Sequence, residues 1–200
     1  MKFFVNFLSA FRIAAAFAII PTLMLGWYWT SLILFIVAAA TDFFDGYLAK
    51  KYNVVSKIGG VMDHIGDKLL VANTLIMLAI MMPVWFVVIP IILLIARELY
   101  ISGLREFIGT QKMEMPVPSA RFSMGKIKTT FQMLTCIAFL GLFATTTLMN
   151  AGHLNATMLR AMNWLSQAGI IGLWISLVAS LWSATQYTRT FAEKIKKLKK

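Results

Sequence analysis

Long apolar runs, broken by charge at only a few places, dominate this sequence. Hydrophobic residues fill 60% of its 200 positions and charged ones 14%, too apolar a balance for a water-soluble domain of this size. A helix crosses the bilayer core with ~20 apolar residues, so the length holds about six spans and leaves nothing for a separate soluble domain. The expectation is one all-α domain over residues 1–200, a polytopic membrane protein with six transmembrane helices. The runs put the spans at about 7–25, 30–50, 61–82, 84–107, 125–148 and 164–187, with Pro90 kinking the fourth. Lys2 before an apolar run resembles a signal peptide, but Arg12 interrupts the run and no small-residue cleavage site follows, so no processing is expected.

Charge sets the orientation. The turns at Gly26-Trp27-Tyr28-Trp29 and at Pro83 carry no charge, and the loop 150–160 holds one basic residue. Of the 19 Lys and Arg residues, all but Arg160 fall on the opposite side, which the positive-inside rule makes cytoplasmic, with both termini. That side is the cytoplasmic face of the plasma (inner) membrane. The same distribution accounts for the net charge of +11 without nucleic acid, for which no polar domain offers a face. Cys136, the single cysteine, lies inside an apolar run and reads as packing. The tail 189–200 reads as a basic amphipathic helix whose partners are anionic lipid headgroups. The sequence contains no phosphate loop of the G-x-x-x-x-G-K-[ST] type, no zinc spacing and no nucleophile elbow.

Within this frame, residues 41–70 stand apart. They hold Asp42, Asp45, Asp63 and Asp67, the only aspartates in the chain, at the ends of apolar runs where an unneutralised carboxylate is costly. Spacings of i,i+3 and i,i+4 put each pair on one helical face, and a short loop between adjacent antiparallel helices lets the pairs converge. Lys68 is their only basic neighbour in sequence, and one step along the helix turns it away. All-oxygen ligation of this kind suits Mg²⁺ or Mn²⁺, two ions of which could clamp a diphosphate, with an edge carboxylate as general base.

A second polar concentration lies in ARELYISGLREF, where Arg97, Ile101 and Arg105 follow one i,i+4 stripe with Glu98 and Ser102 beside it. Lys126 and Lys128 begin the fifth helix at the same level. These cations are either topology anchors and Glu98 partners or a pocket for a second anion. Asn6, Ser9 and Arg12 form a polar stripe on the first helix, with Arg12 either snorkelling to the interface or lining the polar site.

The order Asp42-x-x-Asp45-Gly46-x-x-Ala49-Lys50, eight residues, then Gly59-x-x-x-Asp63-x-x-x-Asp67 resembles the motif of the CDP-alcohol phosphatidyltransferases. That motif reads D-x-x-D-G-x-x-A-R-(8)-G-x-x-x-D-x-x-x-D, and the one departure is Lys50 in place of Arg. ARELYISGLRE, GKIKTTFQM and the Asn6-Ser9-Arg12 pattern are similar to the branch of the family that uses sn-glycerol 3-phosphate as acceptor. The resemblance implies a homodimeric six-helix membrane enzyme that transfers a phosphatidyl group from CDP-diacylglycerol to sn-glycerol 3-phosphate, releasing CMP. It implies Asp42, Asp45, Asp63 and Asp67 as metal ligands and Asp67 as the base. Gly46, Lys50 and Gly59 would bind the CDP-lipid. Arg105, Lys126, Arg12, Arg97 and Lys128 would form the glycerol-phosphate pocket. The division is thus a donor and metal motif over 42–67 and an acceptor pocket within 97–130.

Competing acceptors within the family are phosphatidylglycerol, inositol phosphate and serine, which the acidic motif does not separate. Outside it stand a cation transporter using the aspartates as an ion path and a non-enzymatic assembly factor. The clustering of the acids at one membrane face argues against the first and their existence against the second.

Overall fold

The computed structural model describes the backbone of residues 2–52, 57–110, 124–150 and 155–198 and the side chains of 7–41, 62, 65–107, 109, 125–149, 155–193 and 195–196. The described residues form six helices and no strand: α1 (Lys2–Met24), α2 (Tyr28–Tyr52), α3 (Lys57–Met81), α4 (Trp85–Thr110), α5 (Met124–Asn150) and α6 (Ala156–Leu198). Among the described residues, four segments are long and apolar enough to cross a bilayer: Phe7–Met24, Trp85–Phe107, Gly125–Met149 and Ala156–Glu193. Tyr28–Thr41 is a shorter apolar stretch on α2.

The turns follow local chemistry. Gly26 closes α1 with a φ of 75°, a left-handed conformation that a side chain would oppose. Its neighbours complete the stop, as Leu25 N donates to Pro21 O and Trp27 N to Thr22 O. Asn155 caps α6, its Oδ1 accepting from Met158 N at 2.8 Å. Arg160, expected in an outer loop, therefore sits in the first turns of α6. Pro90 lies inside α4, which continues through it as one helix.

The largest departure from expectation is α6. A sixth span and a separate amphipathic tail were expected, yet one helix of 43 residues runs from Ala156 to Leu198. No proline or glycine interrupts residues 173–198, so the helical ladder has no reason to stop where the apolar run ends.

Apolar side chains occur both inside and outside the bundle. Ile19, Leu23, Phe35, Leu70, Leu75, Leu78, Ile91, Leu94, Phe139 and Leu173 fill the core. Trp85, Val178, Trp164 and Ile80 point outward and are largely exposed, the pattern of helices solvated by lipid tails. α1 packs on α2 and α3, while α6 packs on α5 and α4. With little hydrophobic drive between helices in lipid, close approach carries the packing. A methyl group at Gly169 would lie 2.9 Å from the Phe139 ring, and one at Gly172 would lie 2.7 Å from Thr135 Oγ1. These glycines bring α5 and α6 together and fix where the far end of α6 goes.

Candidate active site

The acidic pairs sit on neighbouring helices. α2 carries positions 42 and 45 one turn apart, α3 carries 63 and 67 one turn apart, and the two helices touch. Gly46 and Lys50 lie further along α2 and Gly59 in the first turn of α3. The side chains of Asp42, Asp45, Lys50 and Asp63 are outside the described residues, as are residues 53–56 and 111–123, the latter with Lys112 and Arg121. Among the described residues no group of three or more potential ligands gathers. Of the four aspartates, only Asp67 has a described side chain.

Asp67 faces α1. Arg12 Nη1 donates to Asp67 Oδ1 at 2.9 Å, with the arginine side chain 0% and the aspartate 30% exposed. Gly66 lies against the same arginine, since a methyl there would stand 3.4 Å from Arg12 Cδ, an ordinary contact. The stripe of Ser9 and Arg12 is thus buried against α3, and Arg12 does not snorkel. A charge with no exposure persists because an opposite charge meets it; alone it would cost several kcal/mol. Arg12 is not among the residues lining the cavity described next, so the structure brings it to the carboxylate and not to the other basic residues.

That cavity, of about 370 Å³, opens between α3, α4, α5 and α6. Its charged lining is Asp67, Lys68, Arg97, Glu98, Arg105 and Lys128, with Ser102, Gln132, Ser183 and Tyr187 adding hydroxyl and amide groups. Lys68, which one helical step turns away from Asp67, crosses to α4 and donates to Ser102 Oγ at 2.7 Å. The same step that turns it from Asp67 brings it to Arg97, Arg105 and Lys128 in the cavity lining.

Glu98 is the junction of the cations. Its Oε1 accepts from Arg97 Nη1 at 2.8 Å and from Lys128 Nζ, tying α4 to α5. Arg97 Nε also donates to the backbone oxygen of Ser180 on α6 at 3.1 Å. Arg105, two turns after Arg97, donates from Nη2 to the Tyr187 hydroxyl at 3.0 Å. Lys126 is exposed and is not among the lining residues, because two positions along a helix put it on the far side from Lys128. Of the five expected pocket cations, the structure gathers Arg97, Arg105 and Lys128, and Lys68 joins them.

Four cationic and two anionic side chains leave the lining with a formal excess of two positive charges. Such an excess, with fork-shaped guanidinium donors, suits an anionic group such as a phosphate. Asp67 is among the residues that line the same space.

The sequence profile of the CDP-alcohol phosphatidyltransferases matches residues 3–182. The chain belongs to that family. Its curated relatives named "CDP-diacylglycerol--glycerol-3-phosphate 3-phosphatidyltransferase" include the protein of Blochmanniella floridana, 32% identical over 184 residues, covering 90% of this chain and 86% of the relative. That of Rickettsia bellii is 42% identical over 135 residues, 64% of this chain and 69% of the relative. That of Sodalis glossinidius is 31% identical over 189 residues, 91% of each chain. The family's acidic motif falls on α2 and α3, while the cavity draws also on α4, α5 and the end of α6.

Proposed function

We propose that this chain transfers the phosphatidyl group of CDP-diacylglycerol to sn-glycerol 3-phosphate, yielding phosphatidylglycerophosphate and CMP. Its relatives are named for this transfer, and its long apolar helices suit a membrane transferase of phospholipid biosynthesis. The observation that carries the acceptor is the cavity with an excess of two positive charges bordering the Asp67 carboxylate. A phosphorylated acceptor puts its phosphate among Lys68, Arg97, Arg105 and Lys128 and turns a hydroxyl toward Asp67. Serine has no phosphate to meet those cations.

In the step itself, the acceptor hydroxyl gives its proton to Asp67 while its oxygen bonds to the phosphatidyl phosphorus. The bond from that phosphorus to the CMP oxygen breaks, and CMP leaves with the electron pair. Arg12, paired with Asp67, orients the carboxylate for this transfer. Gly46, Lys50 and Gly59 lie along the donor side, where the cytidine and diphosphate would pack. The oxygen donors fit a hard divalent ion, since Asp42, Asp45, Asp63 and Asp67 occupy successive turns of two touching helices. A pair of Mg²⁺ or Mn²⁺ ions held there would neutralise the diphosphate and the departing CMP.

Residues 1–200 form one domain in this reading, with donor chemistry in 42–67 and the acceptor pocket in 97–130. The apolar runs support six spans, and the distribution of Lys and Arg supports cytoplasmic termini with the active site at the cytoplasmic face of the inner membrane. The acyl chains then stay in the bilayer while the diphosphate lies at headgroup depth. A homodimer is the assembly that the family resemblance suggests, and the basic tail rests on anionic lipid.

The test is CMP release from CDP-diacylglycerol by the purified protein, with and without Mg²⁺ or Mn²⁺, across glycerol 3-phosphate, inositol phosphate, serine and phosphatidylglycerol. Metal-dependent release with glycerol 3-phosphate is expected. Metal-independent release, or none with any acceptor, overturns the chemistry; preference for an unphosphorylated acceptor overturns the assignment of the cavity.

A further inference from the structure

The end of α6 lies beyond the segment that matches the family, which stops at residue 182, yet Ser183 and Tyr187 line the acceptor cavity. Tyr187 holds Arg105 in two ways. Its hydroxyl accepts from Nη2 at 3.0 Å, and the guanidinium carbon stands 5.0 Å from the centre of its ring. Arg105 is exposed, so without such a holder its long side chain would spread over many rotamers in water. The holder is itself anchored to α4: the Tyr100 hydroxyl and Thr188 Oγ1 are 3.2 Å apart, and the rings of Phe107 and Phe191 meet edge-on at 5.7 Å. About two turns before Tyr187, the carbonyl of Ser180 accepts from Arg97 at 3.1 Å. A single stripe of α6, residues 180, 183 and 187, therefore braces the stripe of α4 that carries Arg97 and Arg105.

We propose that Tyr187 is a positioning residue of the acceptor site, presetting the Arg105 guanidinium for the phosphate of sn-glycerol 3-phosphate. This rests on the reading of Arg105 as a phosphate-binding group. An aromatic residue at a helix end near the membrane boundary is by default an interfacial anchor, a role that gives stability and membrane contact and leaves substrate constants alone. The contacts with Arg105 assign it the more specific one. Preorganisation lowers the ordering cost of binding, so its loss appears in acceptor affinity and not in donor affinity.

The test compares Tyr187→Phe, Tyr187→Leu, Arg105→Gln and the double variant Arg105→Gln/Tyr187→Leu in detergent, measuring kcat and KM for both substrates. Tyr187→Leu is expected to raise the acceptor KM about tenfold, and Tyr187→Phe, which keeps the ring, about threefold. The KM for CDP-diacylglycerol and kcat should each stay within about twofold of wild type. The double variant should be no worse than Arg105→Gln alone, since Tyr187 acts through Arg105. An acceptor KM unchanged in both Tyr187 variants, a loss confined to kcat, or fully multiplicative effects in the double variant overturns the proposal. If Arg105→Gln itself leaves the acceptor KM unchanged, the phosphate reading of the cavity fails first. If Tyr187→Leu does not fold, Tyr187→Phe and its acceptor KM decide.

Discussion

The acidic and basic halves of the site are built on opposite plans. The four aspartates come from one stretch of two successive helices, at spacings set by the helical period. The cavity lining comes from α3, α4, α5 and α6, and its residues range from Asp67 to Tyr187. A local plan leaves a motif; a distributed plan leaves only scattered cations that look like topology anchors. The two halves meet at α3, where Asp67 turns to α1 and Lys68 to α4. One helical step of ~100° separates these two directions.

The largest effect should come at that meeting point. Asp67→Asn is expected to lower turnover by about 10²–10⁴-fold while CDP-diacylglycerol still binds, because it removes the proton acceptor and little bulk. Near-normal turnover in this variant would end the assignment of Asp67 as base.

Next comes Arg12, which sequence similarity groups with the acceptor pocket and the structure groups with Asp67. Arg12→Gln should lower kcat by about 10–100-fold and leave the acceptor KM within about threefold. A rise in acceptor KM with kcat preserved would return Arg12 to the basic half and blur the division.

Lys128 tests the other side. Its amine shares Glu98 with Arg97, so Lys128→Gln should weaken acceptor binding by about fivefold to tenfold, measured as KM, without affecting donor KM. An effect on donor KM would show that the two halves are not separable.

The smallest effect on catalysis should follow Gly169→Ala, whose methyl would press on the Phe139 ring. Overpacking of this kind costs about 1–3 kcal/mol, read as a lower thermal midpoint in detergent, with substrate constants little changed. A selective change in acceptor KM would mean that α5–α6 spacing tunes the cavity directly.

Much of this architecture was legible beforehand. The all-helical fold, the turn at Gly26 and the placement of the acidic pairs on successive helices follow from apolar run length, a special backbone position and the helical period. The fate of Arg12 was not, since a charged residue in an apolar helix reads equally as snorkelling or buried until its neighbour is known. The helical period turns Lys68 away from Asp67, but what it turns toward belongs to α4. Tyr187 gave no signal at all, since an isolated tyrosine near a membrane boundary is commonplace.

By itself, then, the sequence determined that the chain spans a membrane with helices and carries one acidic motif. These rest on composition and on periodicities of a few residues, which survive without knowledge of packing. Tertiary structure alone decided which cations share a cavity, that Arg12 pairs with Asp67, and that α6 runs on to meet Arg105. Those outcomes depend on which helices touch and on the rotation of each about its own axis, and a linear spacing encodes neither.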